Sequence, residues 1–182
     1  MAADGKEVFV ALIAPIGIDM DDVTRVLSER ADQISYEPNL IKLTEFLKAF
    51  KRVGDNFDNE VDRYKAYIQA GDKLCEDAER GDILALLGVT SLLRANEEER
   101  TRLAGTRRFH IFRQIKRLDE YRTLDRIYGR NIIFLGCYAP KESRIAYLVD
   151  RMRVSDRKSS QTNLESSALE IISTCLLYTS DA

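Results

Sequence analysis

The chain has 182 residues, 45% hydrophobic and 32% charged, which fits one globular domain with a sizeable core and leaves little room for a second. Lys and Arg number 28 against 30 Asp and Glu, a net charge of −2, so bulk attraction to nucleic acid is not indicated. The opening MAADGKEVFVALIAP has charges at Asp4, Lys6 and Glu7 and then a short apolar run, too short for a membrane span and unlike a secretory signal. Cys75, Cys137 and Cys175 are scattered, odd in number and form no CxxC pair, which points to a reducing cytoplasm.

In chain order, EVFVALI (7–13) is rich in apolar and β-branched residues and reads as a buried first strand. Met20, Val23, Val26, Leu27, Ala31 and Ile34 recur at helical spacing. Asp19 is a natural N-cap for that helix, with Asp21 and Asp22 suited to its positive end. Pro38 and Asn39 punctuate, and LIKLTEFL (40–47) reads as a short second strand entering a helix near Thr44. Phe57, Val61, Tyr64 and Ile68 mark an amphipathic helix interrupted around Gly71.

Gly81 stops the chain and Asp82 caps the next helix, ILALLGVTSLL (83–93), apolar on nearly every side; ANEEERTRLAGTR then returns to solvent. RFHIFRQI (108–115) is the third strand. Tyr121, Leu124, Ile127 and Tyr128 form a helical stripe ended by Gly129, and NIIFLGCYAP (131–140) is a fourth strand closed by Pro140. Ile145, Leu148, Val149 and Met152 stripe the next helix. Strands alternating with helices predict an α/β fold, a three-layer sandwich with a mainly parallel sheet.

After residue 153 the chain turns polar, and 161–174 reads as the start of a linker. The last eight residues, CLLYTSDA, continue no periodic pattern and resemble read-through of sequencing-adapter DNA. The expectation is a non-native tail over 175–182 and a natural protein that continues further.

The turn APIGID (14–19) lies where the first strand meets the first helix, the usual phosphate seat of a doubly wound sheet. Laid against a kinase-type GxxGxGK[ST] loop, Gly17 matches, while Ala14 takes the place of the first glycine. Asp19, Met20 and Asp21 stand where glycine, lysine and the magnesium-holding hydroxyl belong. Ordinary ATPase or kinase turnover is therefore not expected, and a bound Mg-nucleotide is disfavoured. Backbone N–H groups around Ile16 to Ile18 remain able to hold an anion; a capped helix start is the plainer reading.

Four segments together carry a resemblance: ALIAPIGIDMDDV (11–23), RYKAYIQAGDKLCEDAERGDILALLGVTSLLR (63–94), FHIFRQIKRLDEYRTLDRIYG (109–129) and NIIFLGCYAPKESRIAYLVDRM (131–152). In that order they resemble the N-terminal P-loop-like region of bacterial anti-phage deoxycytidine-nucleotide deaminases. The resemblance implies a P-loop nucleoside/nucleotide-kinase-like domain over residues 7–160 with a regulatory or nucleotide-sensing role. It also implies a separate zinc deaminase domain converting dCTP or dCMP to the deoxyuridine nucleotide, a homo-oligomeric parent, and restraint of some members by a regulatory RNA. Ile18 departs from the small hydroxyl residue expected after the loop glycine, and QIKR (114–117) from the more usual SLKH. The deaminase chemistry requires HxE…PCxxC, and the sole histidine, His110, precedes Ile111 and Phe112. Neither zinc nor deamination is expected of these residues.

Arg113, Lys116 and Arg117 fall at the carboxyl end of the third strand, where they could supplement the missing loop lysine or simply form a solvated edge. Arg151, Arg153 and Arg157 sit on and after the last clear helix, as lid residues over phosphate or as an exposed face. The candidate phosphate-binding set is thus Ala14, Pro15, Ile16, Gly17, Ile18, Asp19, Arg113, Lys116, Arg117, Arg151 and Arg157, with no catalytic residue. His110 is expected to be packed or paired, and Tyr64, Tyr67, Tyr121 and Tyr128 to serve packing. A small nucleotide kinase and a ligand-free docking domain are the alternative functions.

Overall fold

Val8 to Ile13 is apolar at every position, the pattern of a strand covered on both faces. The computed structural model describes residues 7–99, 106–155 and 160–176. Strands β1 (Glu7–Ile13), β2 (Glu37–Lys42), β3 (Arg108–Ile115) and β4 (Ile132–Gly136) form one sheet in the order β2-β3-β1-β4, with every neighbouring pair parallel. The helices are α1 (Met20–Gln33), α2 (Glu45–Ala49), α3 (Glu60–Asp77), α4 (Ile83–Glu99), α5 (Leu118–Tyr128), α6 (Lys141–Ser155) and α7 (Gln161–Leu176).

Side chains alternate across β1. Val10 and Leu12 pack with Ile111 against Met20, Val23 and Leu27 of α1. Phe9 and Ala11 pack with Phe112 against Ala85 and Val89 of α4 and Leu124 of α5. Helices thus cover both faces of a parallel sheet, as the alternation of elements predicts. The β1–β2 crossover runs toward one edge and the β3–β4 crossover toward the other, so α1 and α5 lie on opposite faces. The reversal falls between the adjacent strands β1 and β3, and a crevice opens beyond their carboxyl ends.

Asp19 caps α1 as expected, accepting from the N–H of Asp21 and Asp22 at 3.1 and 3.0 Å. Asp82 opens α4 through its backbone carbonyl, which accepts from Leu86. Its carboxylate instead receives Arg80 through two bonds of 2.9 Å and the Thr123 hydroxyl at 2.5 Å. The Arg80 bond, with help from Thr123 and against burial, holds the carboxyl at about 2.

Three boundaries differ from the sequence reading. β2 starts at Glu37 and includes Pro38, which is tolerated because β2 is a sheet edge. α3 runs unbroken through Gly71; buried Ala70, Leu74 and Cys75 offset the roughly 1 kcal/mol that a helical glycine costs. α4 continues through Glu99, and the remainder of the solvent return, residues 100–105, lies outside the described residues.

The larger correction concerns 161–174, expected as a linker. These residues form most of α7, whose Leu164, Ala168, Ile171 and Ile172 are at most 3% exposed and pack on Leu148, Val149 and Met152 of α6. Their i, i+4, i+7, i+8 spacing is an apolar stripe hidden among serine, threonine and glutamate on the other faces. Lys65 on α3 adds a 2.8 Å ion pair to Glu170. No helix among the described residues is long and apolar enough to cross a membrane.

His110, in the middle of β3, is 1% exposed and stacks on Phe9 with ring centroids 4.8 Å apart. Its Nδ1 lies 3.1 Å from the Asn39 amide nitrogen, and its Nε2 lies 3.6 Å from the Glu7 carboxylate. Burial lowers its pKa below 6.5, and Glu7 opposes the shift without cancelling it. Unfolded chains therefore take up this proton first. The stabilisation is complete above about pH 6.5 and is lost as pH falls toward the folded-state value.

Two measurements test this packing. Ile171→Ala or Ile172→Ala is expected to lower unfolding stability by about 2–5 kcal/mol in urea titrations, whereas an undocked linker would leave the midpoint unmoved. The urea midpoint should also fall between about pH 6.5 and pH 5, a limb that His110→Gln flattens.

Candidate functional site

β1 delivers the loop from Ala14 to Ile18 to the carboxyl edge of the sheet, and β3 delivers residues 113–117 beside it. The pairing is Leu12 with Arg113 and then Ile13 with Ile115, so Gln114 is an extra residue in a β-bulge. Gln114 takes a φ of +72°, which an L residue adopts at a cost and which bulges at functional sites often carry. The bulge turns the following residues toward the Gly17 loop. Glu120, 2% exposed, fixes that turn by accepting from the backbone N–H of Lys116 at 2.8 Å and of Arg117 at 3.0 Å. Burial pushes the Glu120 carboxyl up, and those two N–H bonds partly oppose it.

Gly17 is required twice over. Its φ is +91°, and a Cβ there would lie 2.8 Å from both Cβ and the carbonyl oxygen of Arg144 on α6. Two cations hold the loop's carbonyls: Lys116 Nζ donates to Ala14 O at 2.8 Å, and Arg144 Nη1 to Ile16 O at 3.2 Å. Arg144 Nε is buried with no hydrogen-bond partner among the described residues. The N–H groups of Ile16, Gly17 and Ile18 make no hydrogen bond to another described residue.

These segments rim one cavity of about 570 Å³, closed by α3, the β2–α2 connection and α6. Ala14, Pro15, Ile16, Gly17 and Ile18 line it, as do Arg113, Lys116, Arg117 and Arg151. Nine of the eleven candidate residues therefore share one space. Asp19 does not belong with them. Its carboxylate is committed to the first turn of α1, so the helix head is already capped and an anion would meet the loop N–H groups upstream. Arg157 lies outside the described residues.

The cavity is cationic but internally paired. Arg113, with 13% of its side chain exposed, reaches Asp21 at 2.5 Å, and this bond lowers the Asp21 carboxyl pKa. Arg117 reaches Asp72 at 2.5 Å. Arg151 spans Glu60 at 3.2 Å and Asp21 at 3.8 Å. Burial pushes Glu60 up, but the Arg63 hydrogen bonds and the nearby Arg151 outweigh it, so the carboxyl ends below its usual range. Seven Lys and Arg line the cavity against four Asp and Glu.

Lys42, Lys48, Arg63, Tyr64, Tyr67 and Tyr147 also line it and were not among the candidates. Tyr64 and Tyr67 do pack, as expected, but each also faces the cavity, with the Arg63 guanidinium 4.8 Å and 5.7 Å from their ring centres. The available signal is Arg63, Tyr67 and Gly71 recurring every fourth residue, which in sequence looks the same as a packed helix face. Tyr121 instead meets Phe134 with the rings tilted at 49°, and Tyr128 stacks on Phe9.

The described residues present no donor set suited to zinc. His110 is committed to Phe9, Asn39 and Glu7, and no group of three or more His, Cys, Asp or Glu gathers at one point among them. No protein-family model and no curated protein sequence matches the chain.

Gly17→Ala tests the loop geometry. It should cost about 1–3 kcal/mol in urea unfolding, from the left-handed backbone and the Arg144 contact, and should weaken any anion binding in the cavity.

Proposed function

We propose that the chain binds a nucleotide or similar phosphate-bearing ligand in this cavity, as a regulatory or nucleotide-sensing domain rather than as a catalyst. The observation that carries the reading is the convergence of the Gly17 loop with Arg113, Lys116, Arg117 and Arg151 at the β1/β3 reversal. Ligands of doubly wound sheets collect at that position, and guanidinium and ammonium groups suit phosphate oxygens there. The tyrosine-lined wall opposite offers apolar area for a base.

On the finer fold, the same features support a P-loop nucleoside/nucleotide-kinase-like domain whose loop has lost its lysine. The resemblance extends the proposal to a defence role, in which ligand occupancy would alter contacts with a zinc deaminase domain acting on dCTP or dCMP. The parent would be a cytoplasmic homo-oligomer. A regulatory RNA is a further partner implied by the resemblance alone. The kinase reading is weaker because Asp19, Met20 and Asp21 replace the residues that answer triphosphate charge and magnesium.

Calorimetry of the chain with ATP, dCTP and dTTP separates these functions. Saturable heat with at least one nucleotide and no phosphate release is the expected result. Phosphoryl transfer would favour the kinase. No heat with any of the three would leave a ligand-free docking domain. Arg113→Ala should weaken binding by about tenfold, the loss expected for one charge-assisted contact.

A further inference from the structure

The lysine missing from the loop has a spatial counterpart. In a phosphate-binding loop that residue sits at the helix end of the loop, and here Met20 occupies the place. Lys116 lies 102 residues from Ala14 in sequence, yet its ammonium stands 2.8 Å from the Ala14 carbonyl. Parallel pairing of β1 with β3 brings the two strand ends level, and the Gln114 bulge shifts the turn by one residue. Buried Glu120 then locks the Lys116 and Arg117 backbone.

The carboxylates point to the form of ligand. Magnesium in nucleotide sites is held through carboxylate, hydroxyl and phosphate oxygens. In this cavity Asp21 is bound by Arg113, Asp72 by Arg117, and Glu120 by two backbone N–H groups, while Glu45 lies 3.7 Å from Lys42. Each acid lining the cavity already has an ion-pair or hydrogen-bond partner. A phosphate entering here meets ammonium and guanidinium groups directly, with no carboxylate disposed to bring a cation with it.

We infer that Lys116, supplied from the β3–α5 turn, is the phosphate-gripping lysine of this site, and that the site takes a polyphosphate group as the free anion without a divalent cation. This rests on reading the cavity as a phosphate site. On binding, Lys116 exchanges the Ala14 carbonyl for a phosphate oxygen, while Arg113 and Arg117 keep Asp21 and Asp72 and offer their remaining N–H groups to the ligand.

The test titrates inorganic pyrophosphate and dCTP into the full chain by calorimetry, once with Mg²⁺ and once with EDTA. Parallel titrations use Lys116→Met and, as a control for charge loss outside the cavity, Lys65→Met. Binding should be tighter in EDTA than in Mg²⁺, because the cation competes for the same anion, should drop about tenfold or more in Lys116→Met, and should be unchanged in Lys65→Met. A second readout needs no variant: amine acetylation of the wild-type chain, mapped by mass spectrometry, should slow at Lys116 and not at Lys65 when either anion is present. Binding that is no tighter in EDTA than in Mg²⁺, or binding without protection of Lys116, overturns this inference and leaves the cavity reading standing. A wild-type chain that binds neither probe overturns both.

Discussion

The parallel pairing of β1 with β3, and the single-residue bulge that ends it, is the constraint on which the site depends. Register sets which residues leave the sheet together. With Leu12 opposite Arg113 and Ile13 opposite Ile115, the Gly17 loop and the 113–117 turn emerge side by side. Without Gln114 as an extra residue, the side chains beyond it would swap faces, because a strand alternates with period two. Lys116 would then turn away from the Ala14 carbonyl. The left-handed backbone at Gln114 is the local cost of that placement.

The electrostatics of the site arise from this crowding. Several cations close together repel one another, and the fold answers with Asp21, Glu60 and Asp72, each set against a guanidinium. Asp21, with 63% of its side chain exposed, leaves one side open to solvent while it holds the largely buried Arg113 in place. A phosphate ligand can share the guanidinium groups with these carboxylates, since each ion pair occupies only part of the donor fork. The same pairs offset the mutual repulsion of the cavity's cations. Stability without ligand and readiness to bind are thus met by the same carboxylates.

A second support comes from behind the loop. α6 carries Arg144, which fixes the Ile16 carbonyl, and Arg151, which reaches Glu60 on α3 and Asp21 on α1. α6 is in turn held by α7 and α3 through the cluster around Leu148, Met152, Leu164 and Ile171. The docked α7 therefore backs the helix that shapes one wall of the cavity. Its apolar stripe escapes notice in the sequence because the residues between its members are mostly polar, among them Ser166, Ser167, Ser173 and Thr174, and read as linker.

Features that depend on neighbours a few residues apart are legible along the chain. The four strands and the helices from α1 to α6 come from periodicity, the start of α1 from Asp19, and the sharp turn from Gly17. The Gly17 loop and the basic cluster after β3 were likewise visible as separate features. That they meet follows from the folded sheet and not from either segment. Strand order, the bulge, the Lys116–Ala14 bond across 102 residues and the Arg113–Asp21 pair across 92 depend on long-range packing of the sheet and its covering helices. The same holds for Lys42, Arg63 and Tyr147, whose spacing matches any exposed or packed helix face until α3, α6 and the β2–α2 connection close around one space. Local patterns fix the φ, ψ and periodicity of an element, whereas a site's chemistry depends on distances between elements, which one-dimensional spacing does not contain.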